Sequence, residues 1–170
     1  MKGFESLCKK YADKIGIKYK IKVIETNNVN IHASTKFNSI LKIHKIYINF
    51  LNVSTYKQLD HLALHEIYHC KLRELDIEKR NDIVDKILSI IEWNNNIKYY
   101  SEYLIENLYL LISTKGLSFK DIQKRFVYEE EVVCEIASCD NHKIREVMMY
   151  VTNYEFTVKE INIIIRELSS

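Results

Sequence analysis

Apolar positions fall three and four apart near the start of the chain, then alternate, then return to helical spacing. In residues 4–15 (FESLCKKYADKI), Phe4, Leu7, Cys8, Tyr11 and Ile15 share one helical face, and Gly16 ends the run as a C-cap would. Three strand-like runs follow. Residues 18–25 (KYKIKVIE) alternate, residues 30–37 do so more weakly, and residues 41–50 (LKIHKIYINF) are rich in β-branched and aromatic side chains. Asn27-Asn28 and Asn38-Ser39 are turn pairs between them, so a small antiparallel sheet is expected.

After Asn52 the period becomes helical again. Thr55 with Gln58 fits a capping box that opens one helix over residues 55–75. Residues 82–93 (DIVDKILSIIEW) and 99–113 predict two more helices, and Gly116 breaks the second of these. Ser118 with Asp121, the run 129–139, and Thr157 with Glu160 predict helices beyond it, the last closed by a staple of Phe156 and Ile161. The order of helix, small sheet, then helices describes an α+β domain. The expected division is a first domain over residues 1–115 and a helical tail over 116–170.

Composition narrows the classes of function. The chain has 170 residues, 25 basic and 23 acidic, for a net charge of +2, and the signs are mixed along it. That balance gives little reason to expect a nucleic-acid coat or a membrane-surface protein. The first residues, MKGFESLCKKYADK, have no apolar core and do not read as a signal peptide, and no run approaches a membrane span. The four cysteines, Cys8, Cys70, Cys134 and Cys139, form no CxxC pair and are expected as reduced thiols in the cytosol.

Chemistry concentrates in HEIYH, residues 65–69. His65 and His69 stand four apart, so a helix stacks them on one face, where both imidazoles can take one metal ion. Glu66 follows the first histidine and is placed to hold and deprotonate a metal-bound water without being a ligand. Zinc brings such a water's pKa to about 7, and it polarises a carbonyl as well. A catalytic zinc usually takes three protein ligands, and Glu92, Glu102 and Glu106 on the following helices are candidates for the third. Their spacing does not choose among them.

With these residues in place, the chain resembles the ImmA/IrrE-type metallopeptidases of bacteria, phages and mobile elements over about residues 4–137. The resemblance rests on the first helix ending in Gly16-Ile17, the strand ILKIHKIYIN, the helix HLALHEIYHC and the tail GLSFKDIQKRFVYEEEVV. It implies a minimal zincin-like domain with a helix-turn-helix-like tail. It also implies a zinc-dependent endopeptidase in the cytoplasm, acting on a protein substrate, commonly a helix-turn-helix repressor. Members open a pattern like E-x-x-A-N with the third zinc ligand. Here EWNNN puts Glu92 23 residues after His69 and 24 before Gly116, with Asn96 where the family has its asparagine. The resemblance therefore favours Glu92 over Glu102. The chain departs from the pattern where the family's small alanines are bulkier polar residues and where the glycine of HExGH is Tyr68.

A competing expectation is a non-enzymatic protein- or DNA-binding module with a vestigial zinc site. Its helix-turn-helix would be GLSFKDIQKRF, which offers phosphate only Lys120, Lys124 and Arg125. Of the other residues that suggest chemistry, His32 and His44 read as sheet residues, His61 and His142 as solvated, and Cys70 as a small apolar filler. Trp93 reads as core or site wall.

Overall fold

The computed structural model describes residues 2–92, 130, 133–134, 136–138 and 154–168. The chain divides into two compact units, residues 1–76 with 168–170, and residues 77–167.

The first unit opens with α1 (Lys2–Ile15), which buries the five apolar residues that its spacing set on one face. Gly16 ends it at φ +74°, a left-handed conformation that glycine adopts without a Cβ clash, and the Gly16 and Ile17 amides both bond back to Ala12 O. Three strands follow: β1 (Lys20–Glu25), β2 (Ala33–Asn38) and β3 (Ile43–Ile48). The sheet is mixed, not antiparallel as expected. Its order is β1-β3-β2, with β1 parallel and β2 antiparallel to β3.

The reason lies in β3 and in the loop that crosses its end. β3 is the most deeply buried of the three strands, with His44, Ile46 and Ile48 inside, and it takes the centre. β1 and β3 finish at the same end of the sheet, where Glu25 pairs with Ile48. The chain then passes over that end and enters β2 opposite Ile48. Side-chain amides hold the crossing: Asn49 Nδ2 donates to Asn28 O, and Asn52 Nδ2 donates to Val29 O and Ile31 O. Asn28 also turns the loop locally by accepting from the Asn30 amide, as Asn38 turns the β2–β3 hairpin by accepting from Leu41 N.

A 3-10 turn (Phe50–Asn52) leads to α2 (Tyr56–Glu74). Thr55 caps α2 by accepting from Gln58 N at 3.1 Å, while Gln58 reaches back to Ser54 N, one residue earlier than a capping box requires. From His65 to Leu72 every residue of α2 is buried, so this stretch of the helix is covered on all sides, while Tyr56 and Lys57 at its start are exposed. Tyr11 of α1 donates to Asp60 Oδ1 at 2.7 Å, and burial together with that acceptor pushes the phenol up to about 12.

In the second unit, α3 (Ile77–Glu92) begins five residues before the expected start at residue 82 and buries Ile83 and Val84. Glu130, Val133, Cys134, Ile136, Ala137 and Ser138 are helical and buried, in accord with the helix expected there. The final helix, α4 (Tyr154–Leu168), is already formed at Tyr154. Thr157 therefore lies inside the helix and not at its cap: Tyr154, Glu155 and Phe156 carry no backbone breaker and extend the helical run ahead of it. The expected helix over residues 99–113 and the segment GLSFKDIQKRF lie outside the described residues. Among the described residues no helix is long and apolar enough to cross a membrane.

Candidate metal centre on the central helix

Helix α2 delivers the two histidines as their spacing requires. His65 Nε2 and His69 Nε2 are 3.1 Å apart, the rings meet edge to face with centroids 4.9 Å apart, and both residues are buried. Two imidazole nitrogens this close need something between them. Either one proton is shared as N–H···N, or both lone pairs point at one cation. Two nitrogens each about 2.05 Å from a tetrahedral zinc stand roughly 3.3 Å apart, so the pair fits a shared metal ion with little adjustment.

Glu66 is only 3% exposed, and its Oε2 accepts the Thr35 hydroxyl at 2.6 Å. Thr35 comes from β2, the edge strand that packs against α2, and a second, longer contact of 3.4 Å reaches from the same hydroxyl to Glu66 O. Arg73, almost two turns beyond Glu66, donates to Thr35 O. The helix thus grips one strand residue by its side chain and by its backbone.

At the C-terminal end of α2, Glu74 gathers a different set of partners. Its Oε1 lies 2.9 Å from His44 Nε2 and accepts from Tyr19 N at 2.9 Å, while Oε2 accepts from Lys18 N at 2.8 Å. His44 packs against Phe37, ring centroids 4.7 Å apart, and against Tyr19. Burial lowers the His44 pKa below its ordinary value and Glu74 offsets only part of the shift; Nδ1 has no hydrogen-bond partner among the described residues, so a second ring proton would find no acceptor there. This cluster ties the end of the histidine helix to the start of β1 and to β3.

The remaining candidates fall into place around these. His61 lies one turn before His65, with ring centroids 6.3 Å apart. His32 stands just before β2, and its carbonyl accepts from Asn49 N. Cys8 and Cys70 are buried free thiols. Burial and then the charge of Glu66 push Cys8 up to about 12 and Cys70 well above the ordinary thiol range, so neither is a nucleophile near neutral pH.

Glu92 is the last residue of α3, and its side chain is not among those described. Glu102, Glu106, Trp93, Asn96, Cys139, His142, Lys120, Lys124 and Arg125 lie outside the described residues. Among the described residues, no third His, Cys, Asp or Glu joins the histidine pair.

The alternation of β2 places Thr35 on one face with Ala33 and Phe37, but nothing in the sequence pairs it with Glu66, 31 residues away. The partnership of Glu74 with His44 is equally silent at that level. No family model, no curated protein and no solved structure matches this chain.

Proposed function

We propose that the chain is a zinc-dependent endopeptidase that cuts an intracellular protein. What carries the reading is the 3.1 Å approach of His65 Nε2 and His69 Nε2 inside a buried helix, with a carboxylate on the next residue. The alternative uses of such residues are weaker. Two solvated histidines would not be buried against each other, and a core histidine turns a ring nitrogen to a hydrogen-bond partner of the other kind, as His44 Nε2 does with Glu74.

In this reading His65 and His69 hold the metal through Nε2, as neutral imidazoles. A zinc ion held there supplies Lewis acidity to the scissile carbonyl and to a water molecule. Glu66 is the general base: it takes the proton of the attacking water on its carboxylate and returns it to the leaving amine. The outer edge of β2 carries no strand among the described residues and runs beside α2, so an extended substrate segment can pair with it by main-chain hydrogen bonds. The resemblance to the ImmA/IrrE-type peptidases supplies Glu92 as the third ligand and a helix-turn-helix repressor as the protein cut. Zinc content of Glu92→Ala against Glu102→Ala tests the first of these.

The reaction itself is tested with a peptide library and a readout of new N-termini. Zinc-loaded wild type is expected to generate them, and Glu66→Gln, with the same zinc content, is expected not to. A wild-type protein that holds zinc yet produces no more new N-termini than Glu66→Gln overturns the assignment.

A further inference from the structure

We infer that Thr35 is the positioning residue for Glu66: its hydroxyl anchors one carboxylate oxygen and leaves the other to exchange the proton. The inference deepens the endopeptidase reading and rests on it for its catalytic consequence. The anchoring itself stands on geometry alone.

Thr35 Oγ1 and Glu66 Oε2 are 2.6 Å apart, a short hydrogen bond in which the hydroxyl donates to the carboxylate oxygen. A hydroxyl has one proton to give, and the 3.4 Å contact to Glu66 O is too long to compete for it. The Cys70 thiol that also bonds Thr35 keeps its own proton, so it meets the hydroxyl oxygen as a donor. Both residues are buried, so water does not replace the bond when side chains fluctuate. Threonine is also the stiffest hydroxyl available. Its branched Cβ restricts χ1, so the Oγ1 direction follows from the strand backbone. That backbone is itself held, because Arg73 donates to Thr35 O and the register places Thr35 opposite Ile46 of the central strand.

A glutamate has three rotatable bonds, and fixing them costs conformational entropy at the moment of reaction unless the protein has already done so. A base must sit within hydrogen-bond reach of the proton it abstracts, and a displacement of about 1 Å costs on the order of 100-fold in rate. An anchor on Oε2 fixes the plane of the carboxylate and leaves Oε1 as its unshared edge. The edge strand therefore does more than offer main-chain groups; one of its side chains orients the base.

The test combines two readouts on the full-length chain. With a peptide chosen from the library, Thr35→Val is expected to lower kcat by about 10- to 100-fold with KM and zinc content unchanged, and Thr35→Ser to recover most of the loss. Thermal midpoints of the metal-free protein supply the second readout. Thr35→Val should lower the midpoint by about 3 °C or more in the wild-type background and leave it nearly unchanged in a Glu66→Ala background. Equal losses in both backgrounds show that Thr35 merely supports the strand, and that overturns the anchoring whatever the activity. If the coupling is present but wild type cuts no peptide, the anchoring stands and the endopeptidase reading fails. A kcat unaffected by Thr35→Val in an active enzyme overturns the positioning role.

Discussion

Helix α2 buries two polar clusters a turn and a half apart, and they are built on opposite logic. At its C-terminal end, Glu74 meets complementary partners: an imidazole and two backbone amides fill its two oxygens. Every contact of Glu74 there joins a donor to an acceptor, and both carboxylate oxygens are used. In the middle of the helix, two like atoms, His65 Nε2 and His69 Nε2, are turned towards each other, and a carboxylate stands beside them on a single hydroxyl anchor from β2. The first arrangement holds the helix to the sheet. The second brings two ring nitrogens to one point between residues, the arrangement on which the proposed metal site rests. Burial of charge alone does not separate structure from function; whether the partners complement one another does.

This contrast can be broken by substitution on either side. The largest effect is expected at Glu66, where Gln keeps the shape and removes the proposed base. Peptide cleavage should fall by roughly 10²–10⁴-fold with zinc retained, and a residual rate close to wild type refutes the mechanism. Next comes the Glu74 cluster. Glu74→Ala strips His44, Lys18 N and Tyr19 N of their common acceptor, and chemical denaturation should show a loss of about 1.5–3 kcal/mol. Zinc bound per folded chain should stay the same, and loss of zinc in the folded variant would show that the two clusters are one.

A smaller effect follows from His44. Its folded pKa lies below the ordinary value of about 6.5, so between the two values the unfolded chain binds more protons. The stability tied to neutral His44 is therefore complete above about 6.5 and is lost as the pH falls through the lowered folded value. Thermal midpoints of the metal-free protein should drop over that window, and less so in His44→Gln. An identical pH dependence in the variant contradicts the assignment. The smallest effect belongs to the helix cap: Thr55→Ala removes the acceptor for Gln58 N and should cost about 1 kcal/mol without touching zinc content.

What the sequence made legible was local. The face of α1, the stop at Gly16, the cap at Thr55 and the stacking of His65 on His69 all depend on residues within a few positions of each other. The strand runs were legible too, but their arrangement was not. Alternation shows which residues share a face and says nothing of which strand takes the centre, so the parallel pairing of β1 with β3 escaped it. That pairing depends on Asn49 and Asn52 holding a crossing loop whose contacts span more than twenty residues. Thr35 with Glu66, and His44 with Glu74, escaped for the same reason: each joins a strand to the helix across about thirty residues, and neither leaves a period or motif behind. The third ligand stayed open because a glutamate on an amphipathic helix has the same spacing whether it faces solvent or a metal.

Zinc stoichiometry of the purified full-length protein tests the central claim most directly. Wild type and Glu74→Gln should each bind one zinc per chain, while His65→Ala and His69→Ala, still folded by circular dichroism, should bind it at least tenfold more weakly. If wild type takes up no zinc, or if both histidine variants bind it as wild type does, the convergence of the two imidazoles is a shared proton and not a metal site.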